Sequence, residues 1–452
     1  MYTDGWLKAE QKSPQQSSAP ITPVAKQVDY PLSNAQQRLW TLEQLAPGLV
    51  AYNLPTAIKL PVDTDKTAMH KAVKALLTRH ESLRTYFIDQ DGLPRQKISV
   101  IAPDVLEELS LSSEQAVLDF ANQEAKIPFD LSQAPLIRIK WVNLPDSVWM
   151  LITMHHIISD LLSIEILAKD LFELYRNYRD DIDNSLPSLS IHYKDYAQWQ
   201  DSIKREDHKH YWKTKLDAVE PMNLPIDHQR LPLNRYQGEF FRFALTEVET
   251  EEFVSFCKKQ GVTVFMGITA ALNVLLHQWS GQNDVVIGSI FAGREHVDLH
   301  QQIGFYVNTL PLRNHVKSDM SFIELLAQVK KTVLDASLYQ AYPFDAICAD
   351  LSVPRSLSRN PIFDVVLTMD DRSVISGLAE EHGFIPVEID TPGSLFDMLL
   401  YINLADKRLE VALNYNTDLY RLETIKSFSE RLTFLLQQCS LHPEQTIAQL
   451  LQ

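Results

Sequence analysis

Residues 148–153, Val-Trp-Met-Leu-Ile-Thr, run straight into Met154-His155-His156-Ile157-Ile158-Ser159-Asp160, and this stretch restricts the fold more than any other. The apolar run does not alternate, so it reads as a strand covered on both faces rather than one lying on a surface. Neighbouring side chains on a strand point to opposite sides, so the two histidines cannot share one job. One is expected to face the packed interior and the other an opening. Beyond Ser159 and Asp160, residue types favoured at a helix N-terminus, the positions Leu162, Ile166, Leu167, Asp170, Leu171, Leu174 and Tyr175 follow a helical pattern. The stretch is therefore a strand-turn-helix corner.

The 452 residues exceed one ordinary domain and imply two lobes, each with its own core. Residues 1–28, rich in Gln, Ser, Pro and Lys, cannot bury a core and are expected to be a flexible arm or linker. The first lobe is placed at 29–205 and the second at 206–452, joined by a connection punctuated by Pro221, Pro225 and Pro232. Helical spacing predicts helices over 34–45, with Ser33 as N-cap, and over 66–79. Strands are predicted at 83–88 and 96–101, around the turn Asp91-Gly92-Leu93-Pro94, and a helical stretch at 193–215. The second lobe reads as a helix over 264–279 stopped by Gly281, strands at 285–291, 363–369, 398–402 and 409–415, and a final helix over 422–438. Such alternation implies an α/β or α+β architecture.

The formal net charge of −16 argues against nucleic acid as a partner, because phosphate recognition needs clustered Lys and Arg. Cys257, Cys348 and Cys439 form no paired or ligand-spaced motif and fit buried, reduced thiols. No run reaches the ~18 apolar residues of a membrane span, and the N-terminus lacks a basic region followed by an apolar one, so a cytoplasmic location is expected.

A neutral imidazole is well suited to moving a proton at pH 7. Asp160, four residues after His156, can accept a hydrogen bond from the ring or pair with an arginine and brace the loop. The competing structural reading is a pair of hydrogen-bonded histidines at a strand end. A zinc site is disfavoured because no third ligand stands at a recognisable spacing. The chain also has no GxSxG elbow for a serine nucleophile and no glycine-rich phosphate loop.

The HHxxxD corner resembles that of the condensation domains of nonribosomal peptide synthetases, in the superfamily of chloramphenicol acetyltransferase. Leu32-Ser33-Asn34-Ala35-Gln36-Gln37-Arg38-Leu39-Trp40 looks like the family's opening signature, and Arg79-His80-Glu81-Ser82-Leu83-Arg84-Thr85-Tyr86-Phe87 is similar to its second. Tyr193-Lys194-Asp195-Tyr196-Ala197-Gln198-Trp199-Gln200 resembles the segment after the corner. Ile303-Gly304-Phe305-Tyr306-Val307-Asn308-Thr309-Leu310-Pro311-Leu312-Arg313, Tyr342-Pro343-Phe344-Asp345 and Ser358-Arg359-Asn360-Pro361-Ile362-Phe363 resemble the later ones, in family order.

The resemblance implies two chloramphenicol acetyltransferase-like lobes in a V-shaped pseudo-dimer, with the site in a tunnel between them. It implies an acyltransferase that forms an amide bond between a donor acyl or peptidyl thioester and an acceptor aminoacyl group. Both ride on 4'-phosphopantetheine arms of donor and acceptor peptidyl carrier proteins, with adenylation and carrier domains as neighbours. The domain itself binds no cofactor and no metal. In the matching pattern His156 is catalytic beside His155, and Asp160 is structural. Arg294, at the end of a strand in the other lobe, is expected to pair with Asp160, with Arg84 as the alternative. Asn308 joins the supporting residues through its motif.

One position departs from the family: Leu161 stands where glycine usually follows the aspartate. A leucine must occupy space or point into the core, which would alter the acceptor channel, the substrate or the activity. His155 argues against the heterocyclisation branch, and the opening signature looks like that of domains joining two L-residues. Two alternatives stay open: a stand-alone enzyme releasing a carrier-bound acyl chain onto a soluble amine or alcohol, and a catalytically inactive recruitment module.

Overall fold

The computed structural model describes residues 20–182, 186–203, 205–354 and 356–452. Two mixed sheets carry the described fold. The first runs, in spatial order, Ile385–Val387, Asn53–Leu60, Val148–His155, Ile137–Asn143 and Leu106–Ser110. The second runs Asn308–His315, Asp284–Phe291, Val365–Met369, Met398–Ala405, Arg408–Asn416 and Gly238–Ala244. A small sheet of Tyr30–Pro31, Leu93–Ile98 and Thr85–Gln90 accompanies the first lobe.

Val148–His155 is the middle strand of its sheet, hydrogen-bonded on both edges and covered on both faces. Met150, Ile152 and Met154 enter one core, with Leu76 and Leu77 of the helix Lys66–Arg79 and Leu167 and Leu171 of the helix Leu161–Arg179. Trp149 and Leu151 turn the other way, onto Val117 and Ala121 of the helix Glu114–Glu124. This double cover explains why the run shows no polar alternation.

The second lobe is built around the helix Val264–Ser280, apolar on nearly every side and buried from Phe265 to His277. Thr263 caps its start, accepting from the Met266 N–H, and Gly281 ends it at φ +67°. No single helix among the described residues is long and apolar enough to cross a membrane. The pair Glu247–Lys259 and Val264–Ser280 has the composition for it, but the two helices meet at 102° and pack into the core with Leu325, Leu400 and Phe428.

Several expectations are corrected. Residues 83 and 84, expected in a strand, belong to a short 3-10 turn, Glu81–Arg84, and the strand begins at Thr85. The helical stretch 193–215 is two helices, Tyr193–Ser202 and Glu206–Lys215. The second lobe does not keep all of 206–452: its strand Ile385–Val387 pairs antiparallel with Asn53–Leu60 in the first lobe's sheet. Of the arm expected at 1–28, residues 1–19 lie outside the described residues, and packing begins before residue 29. Ile21 is buried against Ile191, Tyr193, Tyr196 and Tyr306, and the Val24 N–H donates to Asp195 Oδ1 at 2.7 Å.

Candidate active site at the junction of the lobes

His155 is the last residue of the central strand, and His156 is the first of a 3-10 turn, His156–Ile158. The two histidines do face differently, but strand alternation is not the whole reason, because the backbone changes conformation between them. His155 is buried, 3% exposed, between the rings of Tyr52 and Phe129. Its Nδ1 accepts from the Ile157 N–H at 3.1 Å, so in the neutral ring the proton is on Nε2. Burial, then the neighbouring His156, pushes its pKa down to about 3, so His155 is neutral and ties off the turn.

His156 is half-buried and stands edge-on to Phe305, with ring centroids 4.8 Å apart. Its Nδ1 lies 2.7 Å from the Ser159 carbonyl oxygen. A carbonyl only accepts, so Nδ1 carries the proton and Nε2 keeps its lone pair. Burial holds the ring's pKa below the ordinary histidine value against the raising effects of the Ser159 carbonyl and Asp160. The turn thus delivers an imidazole neutral at pH 7, in one tautomer.

Asp160 ends the turn and starts the next helix. Its backbone is extended and its Oδ1 accepts from the Ser163 N–H at 2.9 Å, the N-cap of Leu161–Arg179. The same Oδ1 receives Arg294 Nη2 at 2.9 Å, and Oδ2 receives the Tyr306 N–H at 3.0 Å. Asp160 is therefore a brace between lobes and not a partner for the ring of His156. Arg294 gives its other arm to the carbonyls of Leu299 and Gln302, both at 2.6 Å, and lies over the Tyr306 ring at 4.2 Å. Gly293 makes this approach possible: it sits at φ +66°, and a Cβ there would lie 2.0 Å from the Tyr306 carbonyl oxygen.

Arg84, the alternative partner, does not reach Asp160. Its guanidinium donates to the carbonyls of Leu77 (2.7 Å), Thr78 (3.3 Å) and Ser99, within its own lobe. Leu161 also departs from expectation. As the first residue of the helix it is 47% exposed, so it neither points into the core nor displaces anything there. Asn308 supports the site from a distance: Nδ2 donates to the carbonyls of Gln340 and Tyr342, and Oδ1 accepts from the Phe344 N–H.

The other motifs converge on the same corner. Ser33 caps the helix Asn34–Leu45 and its Oγ meets the Tyr193 hydroxyl at 2.7 Å; that hydroxyl donates to the Phe305 carbonyl at 2.5 Å, beside His156. Gln36 Nε2 donates to the Ile157 carbonyl at 3.3 Å. Ser82 Oγ donates to the Ile303 carbonyl at 2.5 Å, and Arg79 and His80 both hold Asp170 at 2.8 Å.

Sequence reasoning missed Ser163 and Glu165. Ser163 Oγ accepts from Arg294 Nη2 at 2.9 Å and from the Gly304 N–H at 3.1 Å, making it part of the brace. Its place three residues after an N-cap aspartate is the only local signal. Glu165 stands one turn beyond Leu161, and burial, followed by the Asp371, Asp370 and Asp160 carboxylates, raises its pKa to about 7. Little in the local sequence marks it, because Asp370 and Asp371 come from the other lobe.

A neutral imidazole in one tautomer thus stands where two mixed-sheet lobes meet, beside an interlobe ion pair. The chain belongs to the condensation-domain family: the model of that family, described as "Condensation domain", matches residues 26–452. Condensation domains of nonribosomal peptide synthetases form peptide bonds between carrier-bound substrates.

Among curated proteins, bacitracin synthase 3 of Bacillus licheniformis is 34% identical over 95% of this chain and 7% of its own length. Bacitracin synthase 2 of the same organism is 35% identical over 96% of this chain and 16% of its own. The chain thus spans only a small part of these relatives. The X-domain from teicoplanin biosynthesis superposes with a TM-score of 0.86 at 23% identity, covering 95% of this chain and 99% of that one. The first condensation domain of the calcium-dependent antibiotic synthetase, in complex with a substrate analogue, gives 0.76 at 18% identity, covering 94% and 99%. At these identities the structural likeness establishes the fold.

Proposed function

We propose that this chain joins a donor acyl or peptidyl thioester to an acceptor aminoacyl group, with His156 as the catalytic residue. The observation that carries this reading is the Nδ1–H···O=C bond from His156 to Ser159 at 2.7 Å, which leaves Nε2 free to receive a proton. A thioester is already activated, so much of the rate comes from holding amine and carbonyl together. As the new N–C bond forms, His156 Nε2 accepts a proton from the nitrogen. That proton goes to sulfur as the C–S bond breaks, leaving an amide and a free thiol. Asp160, Ser163 and Arg294 keep the corner in place and touch no substrate.

The substrates in this reading arrive on the 4'-phosphopantetheine of donor and acceptor carrier proteins, and the neighbours are adenylation and carrier domains of a cytoplasmic synthetase. His155 and the opening signature support a domain that joins two L-residues. The test uses loaded donor and acceptor carrier proteins with this chain or its His156→Ala form, read by intact mass. Condensed product with the parent chain alone is expected. Equal product from both proteins would remove His156 from the reaction, and product only with a free amine or alcohol would make the chain a releasing enzyme.

A further inference from the structure

The backbone around His156 is bonded partly to itself and partly to a helix far away in sequence. The His156 carbonyl accepts from the Ser159 N–H at 3.1 Å, the Ile157 N–H goes to His155 Nδ1 at 3.1 Å, and the Ser159 carbonyl accepts from the His156 ring at 2.7 Å. The Ile157 carbonyl, in the middle of the turn, accepts from Gln36 Nε2 of the helix Asn34–Leu45 at 3.3 Å. Gln36 is 2% exposed, so this bond is made away from water.

The other end of the same amide is also used. Gln36 Oε1 accepts from the Ser33 N–H at 3.2 Å, and Ser33 Oγ accepts from the Gln36 N–H at 3.1 Å, a closed capping box. A backbone N–H only donates and a carbonyl only accepts, so the Gln36 amide has one orientation. The Ser33 hydroxyl continues the network on its other side. Tyr193 gives its only hydroxyl proton to the Phe305 carbonyl at 2.5 Å, so at the 2.7 Å contact Ser33 donates and Tyr193 accepts. Phe305 is the ring against which His156 stands edge-on, with centroids 4.8 Å apart. One buried capping box therefore reaches the imidazole by two routes: Gln36 through the Ile157 carbonyl, and Ser33 through Tyr193 and Phe305.

We propose that Gln36 is a positioning residue for His156, with Ser33 and Tyr193 as a second support, and that the box they share keeps the imidazole in its Nδ1–H tautomer. Packing alone does not do this. Ile157 and Ile158 are buried in the core with Leu39, which fixes the depth of the turn but leaves the peptide between them free to rotate. Rotation there would swing the Ser159 carbonyl away from Nδ1. A ring released from that carbonyl exchanges between two tautomers, and the one protonated on Nε2 has no lone pair there to receive a proton. The consequence for rate rests on the condensation reading given above; the effect on the ring does not.

The test compares the parent chain with Gln36→Met, Tyr193→Phe, Ser33→Ala and Ser33→Thr. Gln36→Met keeps the side chain's length but cannot donate to Ile157. Single-turnover transfer between loaded donor and acceptor carrier proteins is followed at pH 7, beside the unfolding midpoint and the 15N signals of the His156 ring, which are assigned through His156→Ala. The parent should show one protonated nitrogen, Nδ1, and one bare nitrogen, Nε2. In Gln36→Met the two shifts should move toward each other and transfer should slow by about tenfold to a hundredfold, with the KM for the acceptor carrier protein little changed. Tyr193→Phe leaves the capping box closed and should slow transfer less. Ser33→Ala should lower the rate, and Ser33→Thr, which keeps the hydroxyl, should recover most of it.

A slower Gln36→Met with unaltered ring signals would reduce Gln36 to a structural residue and overturn the proposal, as would altered ring signals with an unaltered rate. Should Gln36→Met fail to fold, Tyr193→Phe and the two Ser33 variants decide by the same two measurements. Equal product from the parent and His156→Ala overturns the underlying reading instead, whatever the ring signals show.

Discussion

Asp160 and Arg294 meet at 2.9 Å across the junction of the lobes, with their side chains 1% and 4% exposed. Each is bonded a second and third time: Asp160 to Ser163 and the Tyr306 N–H, Arg294 to the carbonyls of Leu299 and Gln302. A buried ion pair braced by this many hydrogen bonds, with only Arg294 Nε lacking a partner among the described residues, holds geometry more than it adds stability, but removing one half leaves the other charge stranded.

Arg294→Ala should therefore destabilise the chain by about 3–5 kcal/mol and lower activity together. Denaturant unfolding followed beside the rate checks this. A normal midpoint with normal turnover would show that the pair braces nothing.

Gly293→Ala should be nearly as damaging, although it removes no charge. The added Cβ would meet the Tyr306 carbonyl oxygen at 2.0 Å, and φ +66° disfavours any residue with a side chain. The expected result is a lowered unfolding midpoint, with His156 transfer activity falling in step.

His155 makes stability depend on pH. The unfolded chain protonates it near the ordinary 6.5 and the folded chain only near 3, so the unfolded state binds the extra proton between those values. Its contribution is intact above pH 6.5 and shrinks as pH falls toward 3, by roughly 3–5 kcal/mol over the whole window. His155→Leu should flatten that part of the stability curve, and an unchanged slope in urea titrations at pH 4 to 7 would refute the assignment.

His156→Ala should reduce product formation by about a hundredfold to ten-thousandfold while changing the unfolding midpoint little, since the ring is only half-buried. In the parent chain activity should hold at pH 7 and fall only below the ordinary histidine value, because burial lowers the pKa of His156. Single-turnover rates across pH 5 to 8 decide it; loss of activity already at pH 7 would contradict a neutral ring.

Leu161→Gly should alter unfolding by less than about 1 kcal/mol, because the leucine is 47% exposed in the first turn of its helix. Its expected effect is a few-fold rise in the KM for the acceptor, with kcat largely kept. A large loss of stability would show that Leu161 is packed after all.

The corner at 154–160 was legible in the sequence because its signals are local. An unbroken apolar run reports burial on both faces, and an aspartate before a 3.6-residue periodicity reports a helix cap. The pairing of Arg294 with Asp160 follows from family resemblance, as does the division of labour between the histidines; sequence does not separate Arg294 from Arg84, whose partners are backbone carbonyls of its own lobe. Ser163 and Glu165 were missed because what makes them special lies elsewhere in the chain: the Gly304 N–H and Arg294 for one, Asp370 and Asp371 for the other.

By itself the sequence determined the corner at 154–160, part of the helices and strands, and the mixed α/β or α+β architecture, since hydrophobic period, caps and turn residues act over a few positions. Only the tertiary structure decided that Ile385–Val387 returns to the first lobe's sheet, that Leu161 faces outward, and that Asp160 braces Arg294 and leaves the ring of His156 to Ser159. Those outcomes depend on which distant groups compete for the same carboxylate, carbonyl or sheet edge. That competition is settled by packing in three dimensions and leaves little trace in local sequence.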